Sequence, residues 1–218
     1  LCTDVPSKDA PATDREVGID LGVKTLATLS NGTKIENPRG LERYERKLAR
    51  EQRRLSRRKG ARKSEKQSRR YLKQRKRVAR IHAKIADART DALHKVTTML
   101  ADENQVLCME DLNAKGMMKN HHLAKAVTDA SFGEFARLLE YKCAERGRSF
   151  VKIGRFYPSS KTCSACGHRL DTLPLSVRSW DCPACGAHHD RDVNAARNIL
   201  TEGKRILSNT EGTAGHAG

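Results

Sequence analysis

Four of the seven cysteines have the spacing of a metal site. They form two Cys-x-x-Cys pairs, Cys163 with Cys166 and Cys182 with Cys185, which are separated by 15 residues, and a glycine follows each pair. A tight turn at each pair directs backbone amides at the thiolates, and four sulfurs complete a closed tetrahedral site for structural Zn²⁺. The alternative is a pair of disulfides in a secreted protein, which we disfavour because no apolar segment near the N-terminus predicts a secretion signal.

Three histidines and three further cysteines lie outside this set. They are His168, His188, His189, Cys2, Cys108 and Cys143. A histidine could replace a cysteine, but four sulfurs already fill a structural zinc site. We therefore interpret the histidines as bystanders, and the other cysteines as buried thiols or incidental surface residues.

Three acidic residues form a second candidate site. Asp20 ends the segment GID, Glu110 ends VLCME, and Asp192 begins DVNAARN. Carboxylate oxygens suit Mg²⁺ or Mn²⁺, and two such ions about 4 Å apart suit in-line attack on a phosphodiester. Singly, each acid has an ordinary structural interpretation, as a turn residue, a helix cap and an N-cap respectively. Together, at the ends of predicted elements, they indicate a metal-dependent nuclease centre.

The pattern of the chain predicts the elements that position these groups. In order, they are strands at 15–21, 24–30 and 33–37, a helical region from 41 that is interrupted at Gly60, a strand at 105–111, a helix at 131–146, a strand at 149–154 and a helix at 192–200. Asn31-Gly32 is a strong signal for a tight hairpin between the second and third strands. This order is typical of the ribonuclease H fold, in which strands one and four are adjacent. The adjacency would bring Asp20 beside Glu110, and the last helix would supply Asp192.

Positive charge is concentrated in one segment. Residues 42–84 contain 20 Lys or Arg and 4 acidic residues, so they carry +16 of the net charge of +17. Release of condensed counterions makes such a segment a natural phosphate-binding surface. The alternatives are a solvated helical face and a surface that contacts an anionic membrane. A membrane-binding helix usually has more aromatic anchors than Tyr44 and Tyr71. The residues that we assign to nucleic-acid binding are Arg53, Arg54, Arg57, Arg58, Lys59, Arg62 and Lys63.

Four motifs together resemble one family. GIDLGVKTLATLS, MEDLNAKGM, FYPSSKTCSACGH and CGAHHDRDVNAARNIL are similar to the TnpB (OrfB) proteins of bacterial insertion sequences, which are related to type V CRISPR effector nucleases. The resemblance runs from about Val17 to Leu200. It implies an α/β, ribonuclease H-like (RuvC) fold with a mixed sheet, a long basic helical insertion and an inserted four-cysteine zinc ribbon. The activity that it implies is RNA-guided DNA cleavage, in proteins long known as transposases.

The resemblance also implies roles and boundaries. Asp20, Glu110 and Asp192 would be the catalytic carboxylates that hold Mg²⁺ or Mn²⁺, with Asp190 as a neighbouring acid, and the four cysteines would hold Zn²⁺. The expected organisation is a linker at 1–15, a first nuclease part at 16–156 with the basic helical segment at 42–104, a zinc ribbon at 157–189 that binds target nucleic acid, the last nuclease motif at 190–201 and a disordered tail at 202–218.

An N-terminal half that holds the guide in this family has no counterpart in the chain. We therefore expect DNA as a partner, guide RNA only within a full-length protein, no membrane partner, and a cytoplasmic, nucleoid-associated location in a bacterium or archaeon. The chain could be part of a larger protein, a truncated relic or an internally translated product. The alternative function is a non-catalytic zinc-ribbon protein that binds nucleic acid, such as a repressor. The intact set of three acids favours the enzyme.

Overall fold

The computed structural model describes residues 11–59, 68–112, 116, 127, 128 and 130–214. The chain divides into two compact units. The larger unit comprises Leu1–Asn37 with Lys95–Gly218, and the smaller unit comprises Pro38–His94. No helix in the described ranges is long and apolar enough to cross a membrane.

A five-stranded mixed sheet is the centre of the larger unit. Its strands are β1 (Glu16–Leu21), β2 (Thr25–Leu29), β3 (Lys34–Glu36), β4 (Val106–Glu110) and β5 (Ser149–Ile153), in the spatial order β3-β2-β1-β4-β5. β1 pairs antiparallel with β2 and parallel with β4, and β5 continues the sheet parallel to β4. The predicted adjacency of strands one and four is confirmed. The β2–β3 hairpin also turns where predicted, with Gly32 at a φ of 91°.

Four helices and a small second sheet complete the described elements. They are α1 (Gly40–Ser56), α2 (Arg69–Glu103), α3 (Phe132–Glu145), α4 (Arg191–Ala214), β6 (Ser179–Asp181) and β7 (His188–Asp190). β6 and β7 pair antiparallel within the four-cysteine module, residues 157–189. The hydrophobic pattern did not predict these two strands, because three residues are too few to show a period of two.

The last helix packs on the sheet and is longer than predicted. Ile199 is fully buried in a cluster with Cys108 of β4 and two residues of β5, and the partly buried Ile206 and Leu207 pack against the same cluster. The prediction of a disordered tail from residue 202 is therefore wrong, because α4 continues to Ala214. Residues 202–218 are mostly polar, which suggested disorder, but Ile206 and Leu207 among them extend the buried face of the helix. Residues 215–218 lie outside the described part.

The predicted linker is only partly described. Residues 1–10 lie outside the described part, and residues 11–15 have no regular structure. The carbonyl oxygen of Arg15 nevertheless accepts the backbone N–H of Gln105 at 2.7 Å, and the buried Arg148 donates to the carbonyl of Pro11 at 2.7 Å. These contacts attach the segment to the residues that enter β4 and β5.

Close packing of β1 on α4 predicts a severe effect for Gly18→Ala. A β-carbon at Gly18 would lie 1.9 Å from the carbonyl oxygen of Ala196 and 2.8 Å from the backbone nitrogen of Leu200, and neither backbone can move aside cheaply. We expect a loss of about 3 kcal/mol or more in the free energy of unfolding, at the upper end of overpacking effects. Urea unfolding of the parent and of Gly18→Ala, both with zinc added, measures this change in the free energy of unfolding.

Gly133→Ala is the matched control, since nothing lies within 4 Å of a β-carbon there. It should leave the midpoint unchanged or raise it slightly, because alanine favours a helix. A parent-like midpoint for Gly18→Ala would contradict this packing of β1 on α4.

Candidate carboxylate and four-cysteine sites

The three predicted acids come together from three separated parts of the chain. Asp20 lies near the end of β1, and Glu110 is the last residue of β4, directly beside it in the parallel pairing that joins Ile19 to Met109. Asp192 lies in the first turn of α4. All three side chains line one cleft of about 720 Å³. Because parallel neighbours end at the same edge of a sheet, the topology alone places two of them together.

The electrostatics of this cleft favour a bound cation. Burial, followed by the charges of Asp192 and Glu110, raises the pKa of Asp20 from 3.8 to about 8. Burial and the neighbouring Asp111 raise the pKa of Glu110 from 4.5 to about 7. Nearby carboxylates resist ionising together unless positive charge is added. An oxygen-only donor set with this excess of negative charge fits a hard divalent cation.

The carboxylates are spaced more widely than the sulfurs of the cysteine set. The sulfur atoms of the four cysteines all lie within 4.8 Å of one another. Among the described residues, they are the set of His, Cys, Asp or Glu side chains that is gathered this closely. The three acids are not gathered to that degree around a single point.

Asp190 has a structural role that separates it from Asp192. Its Oδ1 accepts the backbone N–H groups of Asp192 at 3.0 Å and Val193 at 3.1 Å, as an N-cap of α4 does. Its Oδ2 accepts a hydrogen bond from Lys34 at 2.8 Å. Burial alone would raise the pKa of Asp190, but the Lys34 hydrogen bond and the backbone donors outweigh it and lower the pKa. The side chain of Asp192 forms a loose ion pair with Arg178, at 3.7 Å.

The raised pKa of Asp20 predicts how stability depends on pH. A carboxyl group with a pKa of 3.8 when unfolded and about 8 when folded contributes stability fully below about pH 4, and this stability is lost as the pH rises through 8. We expect the Mg²⁺-free, zinc-loaded chain to lose thermal stability over this interval. Asp20→Asn should flatten the decline, whereas Asp171→Asn, at an exposed site, should keep it. Equal slopes for the parent and Asp20→Asn in a melting series would contradict the burial of this charge.

The four cysteines lie on two equivalent turns. In the first, the N–H of Gly167 donates to the carbonyl of Cys163 at 2.9 Å, and in the second, the N–H of Gly186 donates to Cys182 at 2.8 Å. Both glycines have φ values in the left-handed region, 79° and 73°, which a side chain would disfavour. The sulfur of Cys182 also accepts backbone N–H groups of its own turn. The set could bind a metal such as zinc.

His189 contacts this cysteine set. Its Nε2 lies 3.0 Å from the Sγ of Cys163, the side chain is 4% exposed, and its ring packs against Trp180 with centroids 4.7 Å apart. His168 and His188 are exposed, in keeping with bystanders. The sequence pattern did not predict the contact of His189. The available signal was its middle position in the segment HHD, which forms β7 with only its middle residue buried.

The smaller unit presents the basic residues on two packed helices. Leu48 of α1 packs with Val78, Ile81 and Ile85 of α2. Of the predicted nucleic-acid-binding residues, Arg53, Arg57 and Lys59 are exposed, whereas Arg62 and Lys63 lie outside the described residues. Arg54 and Arg58 are exposed too, but each pairs with a buried side chain: Arg54 with Glu51 at 2.9 Å, and Arg58, as a donor, with Gln74 at 2.9 Å. Four other cations of the predicted basic segment, which the sequence did not single out, line a groove in this unit: Lys47, Arg77, Arg80 and Lys84.

Two family models match the chain. Residues 1–121 match OrfB_IS605, described as "Probable transposase", and residues 132–199 match the Cas12f1-like TNB domain. The second match covers α3, β5, the four-cysteine module and the beginning of α4, so the two matches together span both candidate sites.

Relatives and a solved structure agree with these matches. A Streptomyces pristinaespiralis protein named "Putative RNA-guided DNA endonuclease" is 49% identical over 203 residues, which are 93% of this chain and 48% of that protein. "Putative RNA-guided DNA endonuclease InsQ" of Escherichia coli K12 is 35% identical over 207 residues, 88% of this chain and 50% of InsQ. This chain therefore spans about half the length of these relatives. A chain in the cryo-EM structure of a Cas12f1–sgRNA–target DNA complex has a similar fold, with a TM-score of 0.58 at 20% identity over 92% of this chain and 51% of that chain.

Proposed function

Because the chain belongs to the TnpB (OrfB) family, we propose that it carries the phosphodiester-cleaving centre of an RNA-guided DNA endonuclease of an insertion sequence. The observation that carries the proposal is the convergence of Asp20, Glu110 and Asp192 on one cleft. The sheet order and the parallel pairing of β1, β4 and β5 support a ribonuclease H-like, RuvC-type fold for the larger unit. The cutting of DNA by the full-length protein, with and without each carboxylate, tests the proposal.

Asp20, Glu110 and Asp192 would hold Mg²⁺ or Mn²⁺ in this proposal. Bound there, the ions would supply the acidity that activates a water and the positive charge that stabilises the leaving 3′ oxygen. The chain's own residues orient the substrate. Lys34 and Arg178 line the same cleft and place positive charge beside the acids, where a phosphate of the cut strand would lie. Positive side chains are needed at this place because the three acids repel the polyanionic substrate.

The four-cysteine module would be a zinc ribbon that binds target nucleic acid. The fit rests on donor chemistry: four sulfurs within 4.8 Å of one another, on turns whose backbone amides point inward. Four thiolates in a closed set are typical of structural zinc. Cys163 and Cys182 are buried while Cys166 and Cys185 are exposed, so one side of the site is open to solvent.

The smaller unit would bind nucleic-acid phosphates, of the guide RNA or of the target. Changing the exposed Arg53, Arg57 and Lys59 to Gln should then weaken binding of unrelated sequences by similar factors. At roughly 0.9 per phosphate contact on duplex DNA, the slope of log affinity against log salt should shrink by about 2 to 3. We exclude Arg54 and Arg58 from this test because they pair with the buried side chains of Glu51 and Gln74.

A control removes three charges that pair with acids of the larger unit: Arg137, Lys152 and Arg205. This variant should keep a slope close to that of the parent. Titrations at several salt concentrations compare the two variants, and an unchanged slope for the first would mean that its residues form only a solvated face.

A further inference from the structure

A carboxamide of α4 binds both sides of the loop that carries Cys163. The side chain of Asn194 is 1% exposed. Its Nδ2 donates to the carbonyl of Thr162 at 2.8 Å, and its Oδ1 accepts the backbone N–H of Ser164 at 2.9 Å. Thr162 and Ser164 are the chain neighbours of Cys163. One side chain therefore fixes the backbone on either side of a proposed zinc ligand.

Asn198 repeats this contact one helical turn later. Its Nδ2 donates to the carbonyl of Thr162 at 2.6 Å and to that of Ser159 at 2.7 Å, and the side chain is 5% exposed. Residues four apart lie on the same face of a helix, so Asn194 and Asn198 face the loop together. Buried polar groups with all their partners satisfied hold adjacent segments in one arrangement.

The opposite face of the same turn carries Asp192. Asp192 and Ala195 line the carboxylate cleft. Two residues along a helix correspond to a rotation of about 200°, so Asp192 and Asn194 point in nearly opposite directions from one short piece of backbone. A shift of the loop that pulled on Asn194 would therefore move Asp192 in the cleft.

A second route joins the same two places. His189 contacts the Sγ of Cys163 at 3.0 Å, and its chain neighbour Asp190 accepts the backbone N–H of Asp192. Asp192 is thus held to the Cys163 loop through the preceding strand β7 as well as through the helix. The first turn of α4 is therefore joined to the Cys163 loop twice, directly through Asn194 and indirectly through β7.

We propose that Asn194 and Asn198 are positioning residues that couple the zinc site to the carboxylate site. Their hydrogen bonds fix the first turn of α4 against the Cys163 loop, and so set the place of Asp192 relative to Asp20 and Glu110. The inference rests on the proposed function, because it concerns metal binding by those carboxylates. Coupling between two sites is reciprocal, so occupation of the carboxylates also strengthens zinc binding.

The test measures Mn²⁺ affinity by the electron paramagnetic resonance signal of free Mn²⁺, in the zinc-loaded chain. Asn194→Leu keeps a similar volume and removes the hydrogen bonds. We expect it to weaken Mn²⁺ binding about tenfold or more, in the range found for groups that orient metal ligands, while zinc stays at one per chain. Subtracting the binding that remains in Asp192→Asn isolates the carboxylate site. An Asn194→Leu protein with parental Mn²⁺ affinity would overturn the coupling.

Gln74→Leu is the matched control. Gln74 is fully buried and makes several side-chain hydrogen bonds, but within the smaller unit. Its replacement should lower stability and leave the Mn²⁺ affinity unchanged. An equal loss of Mn²⁺ affinity in Gln74→Leu would show that general destabilisation explains the effect of Asn194→Leu, and would also overturn the proposal.

A second measurement compares the parent chain with and without Mg²⁺, so its main result does not depend on the folding of a variant. Zinc affinity is determined at equilibrium against a competing chelator, with and without saturating Mg²⁺. The coupling predicts a higher zinc affinity with Mg²⁺, and no such gain in Asp192→Asn. Unchanged zinc affinity in a parent chain that does bind Mn²⁺ refutes the coupling alone. A parent chain that binds no Mn²⁺ refutes the proposed carboxylate site instead.

Discussion

Asp192→Asn should abolish Mg²⁺-dependent DNA cleavage by the guide-loaded full-length protein. The substitution removes a proposed metal ligand and its charge while keeping the shape of the side chain. Loss of several kcal/mol of transition-state stabilisation corresponds to a fall of about 10³-fold or more in the cleavage rate. Affinity for DNA should stay similar or rise, because one negative charge that faces phosphate has gone. Single-turnover cleavage and a binding titration measure the two effects separately.

Asp190→Asn is the matched comparison for this experiment. Asparagine can still accept the backbone N–H groups of Asp192 and Val193, so the cap of α4 survives and mainly the ion pair with Lys34 is lost. We expect a rate within about tenfold of the parent, since an exposed ion pair contributes little. If Asp192→Asn cuts at the parental rate while Asp190→Asn does not, the roles of the two acids are reversed.

Cys163→Ser should release zinc and unfold the four-cysteine module. The module has a small core, in which Trp180 and two cysteines are its buried apolar residues. Metal binding would therefore supply most of its folding free energy, for which about 10–16 kcal/mol is typical of small zinc modules. The zinc content should fall from one per chain towards zero, and the fluorescence of the single tryptophan should shift towards that of an exposed indole.

Cys143→Ser separates loss of zinc from loss of stability. Cys143 is fully buried in α3, outside the cysteine set, so its replacement should destabilise the larger unit and leave the zinc content at one. Zinc-free parent protein of normal stability and normal tryptophan fluorescence would contradict the structural role of the metal.

Local patterns were sufficient for the five strands of the main sheet, the β2–β3 hairpin and the cysteine set. The turn at Gly32 and the two turns that carry the cysteine pairs depend on residues that are adjacent in the chain, so short sequence patterns predict them. The meeting of Asp20 with Glu110 was also predictable, because it follows from the order of the strands. These turns, the cysteine set and the strand order can be predicted without knowledge of how side chains pack.

Contacts between distant residues were not predictable in the same way. The length of α4 depends on Ile206 and Leu207 meeting the β4–β5 cluster, which no local pattern reveals. The asparagines of α4 resemble ordinary polar helix positions until the Cys163 loop is seen against them. Likewise, Arg54 and Arg58 count as free positive charge in the sequence, although Glu51 and Gln74 engage them in the folded unit.

The most direct test of the central claim is the location of bound Mn²⁺ by anomalous diffraction from crystals of the zinc-loaded protein. We expect manganese peaks in direct contact with carboxylate oxygens of Asp20, Glu110 and Asp192, and a separate zinc peak among the four cysteine sulfurs. Loss of the manganese peaks in Asp192→Asn crystals, with the zinc peak retained, would complete the assignment. Manganese bound elsewhere, or no manganese between β1, β4 and α4 at saturating concentration, would contradict it.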